Sequence, residues 1–327
     1  FISRFSFYKK IKFYIKWYVI IFIKNKITDV YFNLAMEEYI FEKFKEDEVF
    51  MLWINEPSVV IGKHQNLIEE LNMKYCFENN IKIARRLSGG GTVVHDFGNL
   101  NYTYITNTTG DTALDFKEFL KPMYNALLNL KINANISPRN DFRVLEKKIC
   151  GHSQFMRKKR VLHHGCILFD SNLNNLRNAL NVKNKKIISK SAKSVKSSVA
   201  NLKEISKLDY EISDFLEKLK NEILKTQENF EIYELTKEDI LNIDKIKSEK
   251  YVTKDWIYGQ SPKCTFFLDE ERDYTVEIDG GKIEKINMGD DNKFDSLIGL
   301  YFEYEEIKNK IAELNIKDDY AKKLIEI

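Results

Sequence analysis

Cysteine is scarce in this chain of 327 residues: there are four, at positions 76, 150, 166 and 264, and no two of them form a CxxC pair. That spacing argues against a disulfide framework and a zinc knuckle, and it fits a reducing compartment, which makes a cytoplasmic location the expectation. Proline (four) and glycine (thirteen) are also sparse, so collagen-like and low-complexity architectures are excluded. Long apolar runs are missing too. The longest charge-free apolar run, WYVIIFI at 17 to 23, falls far short of the ~20 residues that cross a bilayer, and no membrane contact is expected. Charge of the two signs nearly cancels, 52 Lys and Arg against 49 Asp and Glu, and a net +3 is too weak to imply nucleic acid. The phosphate-binding patterns GxxxxGK[ST] and GxGxxG are absent, as is the zinc pattern HExxH.

Acidic residues are missing from two stretches. The first, before Asp29, holds seven basic residues. It reads as a mitochondrial-type presequence or as an extension leading into a buried strand at 18 to 24. The second lies between Asp170 and Glu204 and carries Arg177 with lysines at 183, 185, 186, 190, 193, 196 and 203. A solvated basic loop and a phosphate-facing loop are both open readings of it.

The rest of the chain has the chemistry of a folded α+β protein. An amphipathic pattern at 28 to 44, opened by a capping Thr or Asp, keeps Glu37 and Glu38 among apolar positions. A second helix is expected over 114 to 130, bent or bounded at Pro122, and a polar helical stretch over 209 to 229. Runs rich in β-branched and aromatic residues predict strands at 49 to 54, 58 to 62, 81 to 85, 92 to 96, 101 to 106, 142 to 145, 147 to 151 and 161 to 169. The strands do not alternate regularly with helices, which favours α+β over a doubly wound sheet. After WIYGQSP at 256 to 262, further strands around an Asp-Gly-Gly turn and a closing helix predict a smaller domain. The expected division is an extension at 1 to 18, a main domain at 19 to 250 and an accessory domain at 251 to 327.

Three of the thirteen glycines stand consecutively in RRLSGGGTVVHD, residues 85 to 96. Such a run between two strands either makes a tight turn or lets a ligand approach the backbone. The longer pattern, RRLSGGGTVVHDFGNLN at 85 to 101, resembles the lipoate-binding signature of lipoate–protein ligases, within the biotin/lipoate ligase superfamily. Further segments resemble that family in the expected order: YFNLAMEEYIF (31 to 41), SPRNDFRVLEKKICG (137 to 151), HHGCILF (163 to 169) and KSAKSVKSSVANL (190 to 202). The likeness extends over roughly 19 to 327.

The resemblance implies a mixed-sheet ligase-like catalytic domain with a small α+β accessory domain. It also implies a two-step reaction in which lipoate and ATP give lipoyl-AMP, and the acyl group then passes to a lysine of a lipoyl carrier domain. Such a domain belongs to a glycine-cleavage H protein or to a 2-oxoacid dehydrogenase E2 subunit. Lys148 takes the place of the essential lysine. Arg86, Ser88, Gly89, Gly90, Gly91, Thr92, Val93, Val94, His95 and Asp96 take places in the lipoate signature. Asn140 and Asp141 stand near the nucleotide or its Mg2+, with His164 and Gly165 in the HHG strand and Lys193, Ser194 and Val195 in the adenylate loop. Joining a carboxylate to a polyphosphate needs positive charge and fixed donors, which Arg86, Lys148 and the loop lysines offer. No protein-held metal centre is expected, because the histidines match no ligand spacing.

The sequence departs from the family pattern at Cys150 and Cys166, where Ser and Thr are frequent, at His152, where a small residue often follows the glycine, and at Lys196, where Arg is usual. Two other functions stay open. One is an ATP-independent octanoyl or lipoyl transferase that uses a cysteine thioester. The other is a non-catalytic lipoate-binding or adapter protein.

Overall fold

The protein is represented by a computed structural model that describes residues 20–108, 116–182, 186–225 and 229–326. The expected extension at 1 to 18 lies outside these residues, as do Lys183 and Lys185.

The first part of the chain supplies β1 (Ile20–Lys24), a helix (Val30–Lys43), β2 (Glu48–Trp53), β3 (Ser58–Ile61), β4 (Lys82–Arg85), β5 (Val93–His95) and β6 (Asn99–Asn107). A helix at Phe116–Asn129 precedes β7 (Asn135–Ile136), β8 (Phe142–Val144), β9 (Lys147–Arg157), β10 (Arg160–Leu168) and the short β11 (Ile187–Ser189). The helix Ile212–Lys225, β12 (Phe230–Glu234) and the helix Lys237–Ile246 follow. Then come β13 (Cys264–Asp269), β14 (Tyr274–Asp279), β15 (Lys282–Asn287) and the helices Tyr304–Glu313 and Asp319–Ile325.

These strands make an α+β fold with three sheets. The large one has eight strands in the order β12-β1-β2-β6-β10-β9-β8-β7. It is mixed, because β1 runs parallel to both β12 and β2 while β2 to β6 and all later pairings are antiparallel. A three-stranded sheet, β4-β3-β5, lies between the end of β2 and the start of β6 in the chain. The third sheet is β11-β13-β14-β15, so the C-terminal strands take in one strand from the basic stretch.

One face of the large sheet is covered by the helices Phe116–Asn129 and Ile212–Lys225, whose Leu120, Met123, Leu127, Phe215 and Leu219 pack on Phe22, Phe50 and Tyr102. The other face is covered by Val30–Lys43 and Lys237–Ile246. Asp29 caps the first of these by accepting from the amides of Tyr31 and Phe32, as the sequence led us to expect of Thr28 or Asp29. The C-terminal sheet shares a third apolar cluster with Val59, Ile61, Leu67 and Leu71.

Pro122 neither ends nor bounds its helix, which runs on to Asn129. Its missing amide costs a hydrogen bond, but Phe119, Leu120, Met123 and Leu127 are all buried on that helix, each worth about 1.5–3 kcal/mol, and their packing outweighs the loss. The structure adds β7, β11, β12 and the helix Lys237–Ile246, which the sequence reading did not include. β12 is an edge strand with Phe230 and Ile232 about half exposed, so its pattern does not alternate with burial.

Candidate active site

The connection from β4 to β5, the strands β9 and β10, and the loop at 190 to 197 enclose a cavity of about 350 Å³. Its wall includes Leu34, Trp53, Val60 and Val93, which are apolar, and Lys148, Asp141, Arg139 and Ser197, which are not. Of the residues singled out in the sequence, Arg86, Gly90, Gly91, Thr92, Val93, His95, Asp141, Lys148, His164, Gly165, Lys193, Ser194 and Val195 line it. Ser88, Gly89, Val94, Asp96 and Asn140 do not.

Lys148 sits at the start of β9, where its amide donates to the carbonyl of Ser198 (2.9 Å) and its carbonyl accepts from Ala200 (3.2 Å). The end of the basic loop is thereby stitched to the strand that carries this lysine. Lys148 Nζ lies 2.9 Å from Asp141 Oδ1, and the side chain is about a quarter exposed. Gly151 makes room for it: a Cβ at 151 would lie 2.8 Å from Nζ and 2.9 Å from Cε of Lys148.

Arg85 and Arg86 are buried, although arginines beside strands usually reach solvent. Arg85 donates to the carbonyls of Gly62, Lys63, Gln65 and Ile257 and to Ser261 Oγ, tying the glycine connection to the C-terminal segment. Arg86 Nη2 donates to the carbonyls of Gly89 (2.6 Å) and Gly91 (2.7 Å), Nη1 to that of Val60 and Nε to Ser88 Oγ. The three-glycine run is therefore wrapped around a guanidinium. Burial lowers the pKa of Arg86 to about 10, which leaves it charged at neutral pH. Gly90 has φ +84, the left-handed region that favours glycine, so one glycine of the run is required by backbone shape.

A polar chain joins the glycine run to the helix behind it. Ser88 Oγ is 2.6 Å from His164 Nε2, His164 Nδ1 is 2.9 Å from Glu37 Oε1, and Thr103 Oγ1 donates to the same carboxylate oxygen. His95 Nδ1 accepts from Asn55 Nδ2 at 3.0 Å, so its proton is on Nε2, which is buried and has no partner among the described residues. Asn101 Nδ2 is a second such donor on the cavity wall. Burial drives the pKa of His95 down to about 3, so its ring is neutral.

The loop at 189 to 194 is clasped by two carboxylates. Ser194 donates its amide to Glu70 Oε1 (3.0 Å) and its hydroxyl to Glu70 Oε2, and that hydroxyl accepts from the amide of Thr92 and from Gln65 Nε2. Ser189 and Ser191 donate to Glu69, with Lys193 Nζ 3.2 Å from it. Lys193 and Val195 remain largely exposed.

The residues off the wall serve the scaffold. Ser88 links Arg86 to His164. The carbonyl of Gly89 accepts from Ser153 Oγ as well as from Arg86. Val94 packs in the third cluster. Asp96 accepts from the amides of Gly98 and Asn172, closing a turn. Asn140, at φ +60, accepts through its carbonyl from His152.

Cys150 is buried and Cys166 half-buried, and burial raises both thiols above their ordinary pKa. Cys150 Sγ is 3.2 Å from His152 Nε2. Sequence reasoning missed Trp53, Gln65, Glu70, Asn101, Arg139 and Ser153. Glu37 had a signal, an acid on the apolar face of a helix, whereas Glu70 had none.

The lipoyl protein ligase A/B catalytic domain family matches residues 29–224. A lipoate-protein ligase of Bacillus subtilis is 39% identical over 91% of this chain and 95% of its own length. Lipoate–protein ligase 1 of Staphylococcus aureus is 38% identical over 89% of this chain and 93% of its own length. Among solved structures, a lipoate-protein ligase A bound with ATP covers 73% of this chain and 98% of its own, at 25% identity and a TM-score of 0.60.

Proposed function

The chain belongs to the lipoyl protein ligase A/B family, and from that premise we propose how it works as an ATP-dependent lipoate–protein ligase. In the first step a lipoate carboxylate oxygen attacks the α-phosphorus of ATP, and pyrophosphate leaves with the bond electrons. In the second, the amine of a carrier lysine attacks the carbonyl of lipoyl-AMP, AMP leaves, and the amine loses a proton.

The observation that carries this reading is Lys148 on a wall that also holds apolar residues. Leu34, Trp53, Val60 and Val93 offer a surface for the acyl chain, and Lys148 offers a fixed positive charge where carboxylate and α-phosphate meet. Such a charge lowers the barrier because both reactants are anions. Asp141 holds the ammonium 2.9 Å away and keeps it oriented before substrates arrive. Arg86 acts on the glycine run, since its guanidinium is already engaged by four acceptors. Lys193, Ser194 and Val195 belong to the segment we assign to the adenylate. His95 Nε2 and Asn101 Nδ2 are donors that a bound substrate or an ordered water satisfies.

We assign Mg2+ to the nucleotide. Asp141 is the one carboxylate on the described wall of this cavity, and Mg2+ is commonly held by one or two carboxylates plus phosphate oxygens. When bound it supplies charge neutralisation on the phosphates. The acceptor we propose is a lipoyl domain of an H protein or of an E2 subunit. The unit at 251 to 327 is proposed as accessory, and a reducing compartment such as the cytoplasm suits the four free cysteines.

Pyrophosphate release that requires both lipoate and ATP tests this. Release without lipoate, or acyl transfer without ATP, contradicts it.

A further inference from the structure

His152 has no role in the reaction as set out above, yet the surrounding structure is built around its ring. Gly165 lies opposite it in the β9–β10 ladder, and a Cβ there would come within 2.5 Å of His152 Cδ2 and 2.6 Å of Tyr102 Cε1. The ring lies edge-on to Phe142 at 4.5 Å and stacks on His163 at 5.4 Å, and the residue lines the cavity.

Its two nitrogens are committed. Nδ1 is 2.5 Å from the carbonyl oxygen of Asn140, which can only accept, so Nδ1 carries the proton. Nε2 then accepts from the thiol of Cys150, 3.2 Å away. Asn140 has φ +60, left-handed backbone that asparagine adopts more readily than most residues with a side chain and that hydrogen bonds from neighbouring groups support. Ser137 supplies part of that support: its carbonyl accepts from the amide of Asn140 and its hydroxyl from that of Asp141. His152 supplies the rest from the cavity side, and the next residue in the turn is the Asp141 that holds Lys148.

We propose that His152 is a positioning residue for adenylation, acting through its Nδ1–H on the Asn140 carbonyl to fix the turn that sets Asp141, and through Asp141 the Lys148 ammonium. This deepens the ligase reading and rests on it for its kinetic readout only.

The test compares His152→Asn, which keeps an amide donor where Nδ1 stood, with His152→Gln, which moves the amide to the place of Nε2. Both are assayed for lipoyl-AMP formation, lipoate affinity and melting temperature. The reactivity of Lys148 is read separately, from the rate of acetylation by an N-hydroxysuccinimide ester measured on the Lys148 peptide. The Asn variant is expected to keep most of kcat. The Gln variant is expected to lose kcat by on the order of 10²-fold, as a misplaced reacting group does, with lipoate affinity little changed and Lys148 acetylated faster. Equal kcat in the two variants, or equal Lys148 acetylation, overturns the proposal. If wild-type protein releases no pyrophosphate with lipoate and ATP, the ligase reading falls, and the acetylation rates still decide for or against His152.

Discussion

Replacing Gly151 with alanine adds one methyl group beside Lys148. An ideal Cβ there lies 2.8 Å from Nζ and 2.9 Å from Cε, while carbon contacts become favourable only at about 3.5–4.0 Å. The lysine end must therefore withdraw by about 0.6–1.2 Å. The atoms that meet the new methyl are the far end of a flexible side chain, and φ at 151 is not in the left-handed region. The fold should bear the change with a small shift in melting temperature. Catalysis should not, because Lys148 leaves its 2.9 Å contact with Asp141 and the place we propose for the reacting groups. A displacement near 1 Å costs up to about 10²-fold, so kcat for lipoyl-AMP formation should fall about 10- to 100-fold, equivalent to about 1.4–2.7 kcal/mol. The assay is pyrophosphate release at saturating lipoate and ATP, beside thermal unfolding. Gly165→Ala is the contrasting variant: its methyl meets two packed rings, His152 and Tyr102, so it should cost about 1–3 kcal/mol of stability. Full activity in a folded Gly151→Ala protein would refute the placement of Lys148.

Other outcomes follow from the same geometry. Glu70→Ala removes both Ser194 contacts, and with about 1.5–3 kcal/mol lost, amide exchange across 190 to 197 should quicken at least about tenfold; unchanged exchange would mean the clasp holds nothing. Lipoate with ATP should slow exchange in the same segment of the wild-type protein, and protection confined to other segments would count against its assignment to the adenylate. His95 and His163 are buried neutral with pKa values depressed below 6.5, that of His95 to about 3, so the unfolded chain takes up protons first as pH falls. Their contribution is whole above pH 6.5 and is lost below it, by about 1.4 kcal/mol per pH unit for each histidine, and urea midpoints that stay flat from pH 7 to 5 would contradict this.

The sequence made the glycine run legible because three glycines between β-branched segments have few other uses, and the structure places it between β4 and β5 as expected. Lys148 was legible only through the longer pattern, since a strand lysine is by itself unremarkable, and its 2.9 Å contact with Asp141 comes from the structure alone. Other parts of the cavity depend on contacts that no local pattern encodes. Glu37 and His164 are 127 residues apart, and Glu70 and Ser194 are 124 apart. Arg86 turned out to hold the carbonyls of Gly89 and Gly91, because a buried guanidinium takes whatever acceptors surround it. The β11 strand carries no local signal, since Ile187–Ser189 sits among lysines and its partner, β13, lies beyond residue 260.

The most direct test is lipoylation of an apo lipoyl domain, followed by intact mass with and without ATP, for wild-type protein and for Lys148→Ala, Cys150→Ser and Cys166→Ser. Wild-type protein should add the lipoyl mass only with ATP. Lys148→Ala should lose ~10²–10³-fold or more in rate, as on removal of a transition-state charge, while both serine variants keep ATP-dependent transfer. Transfer that proceeds without ATP, is abolished by one of the cysteine substitutions and survives Lys148→Ala would contradict the account.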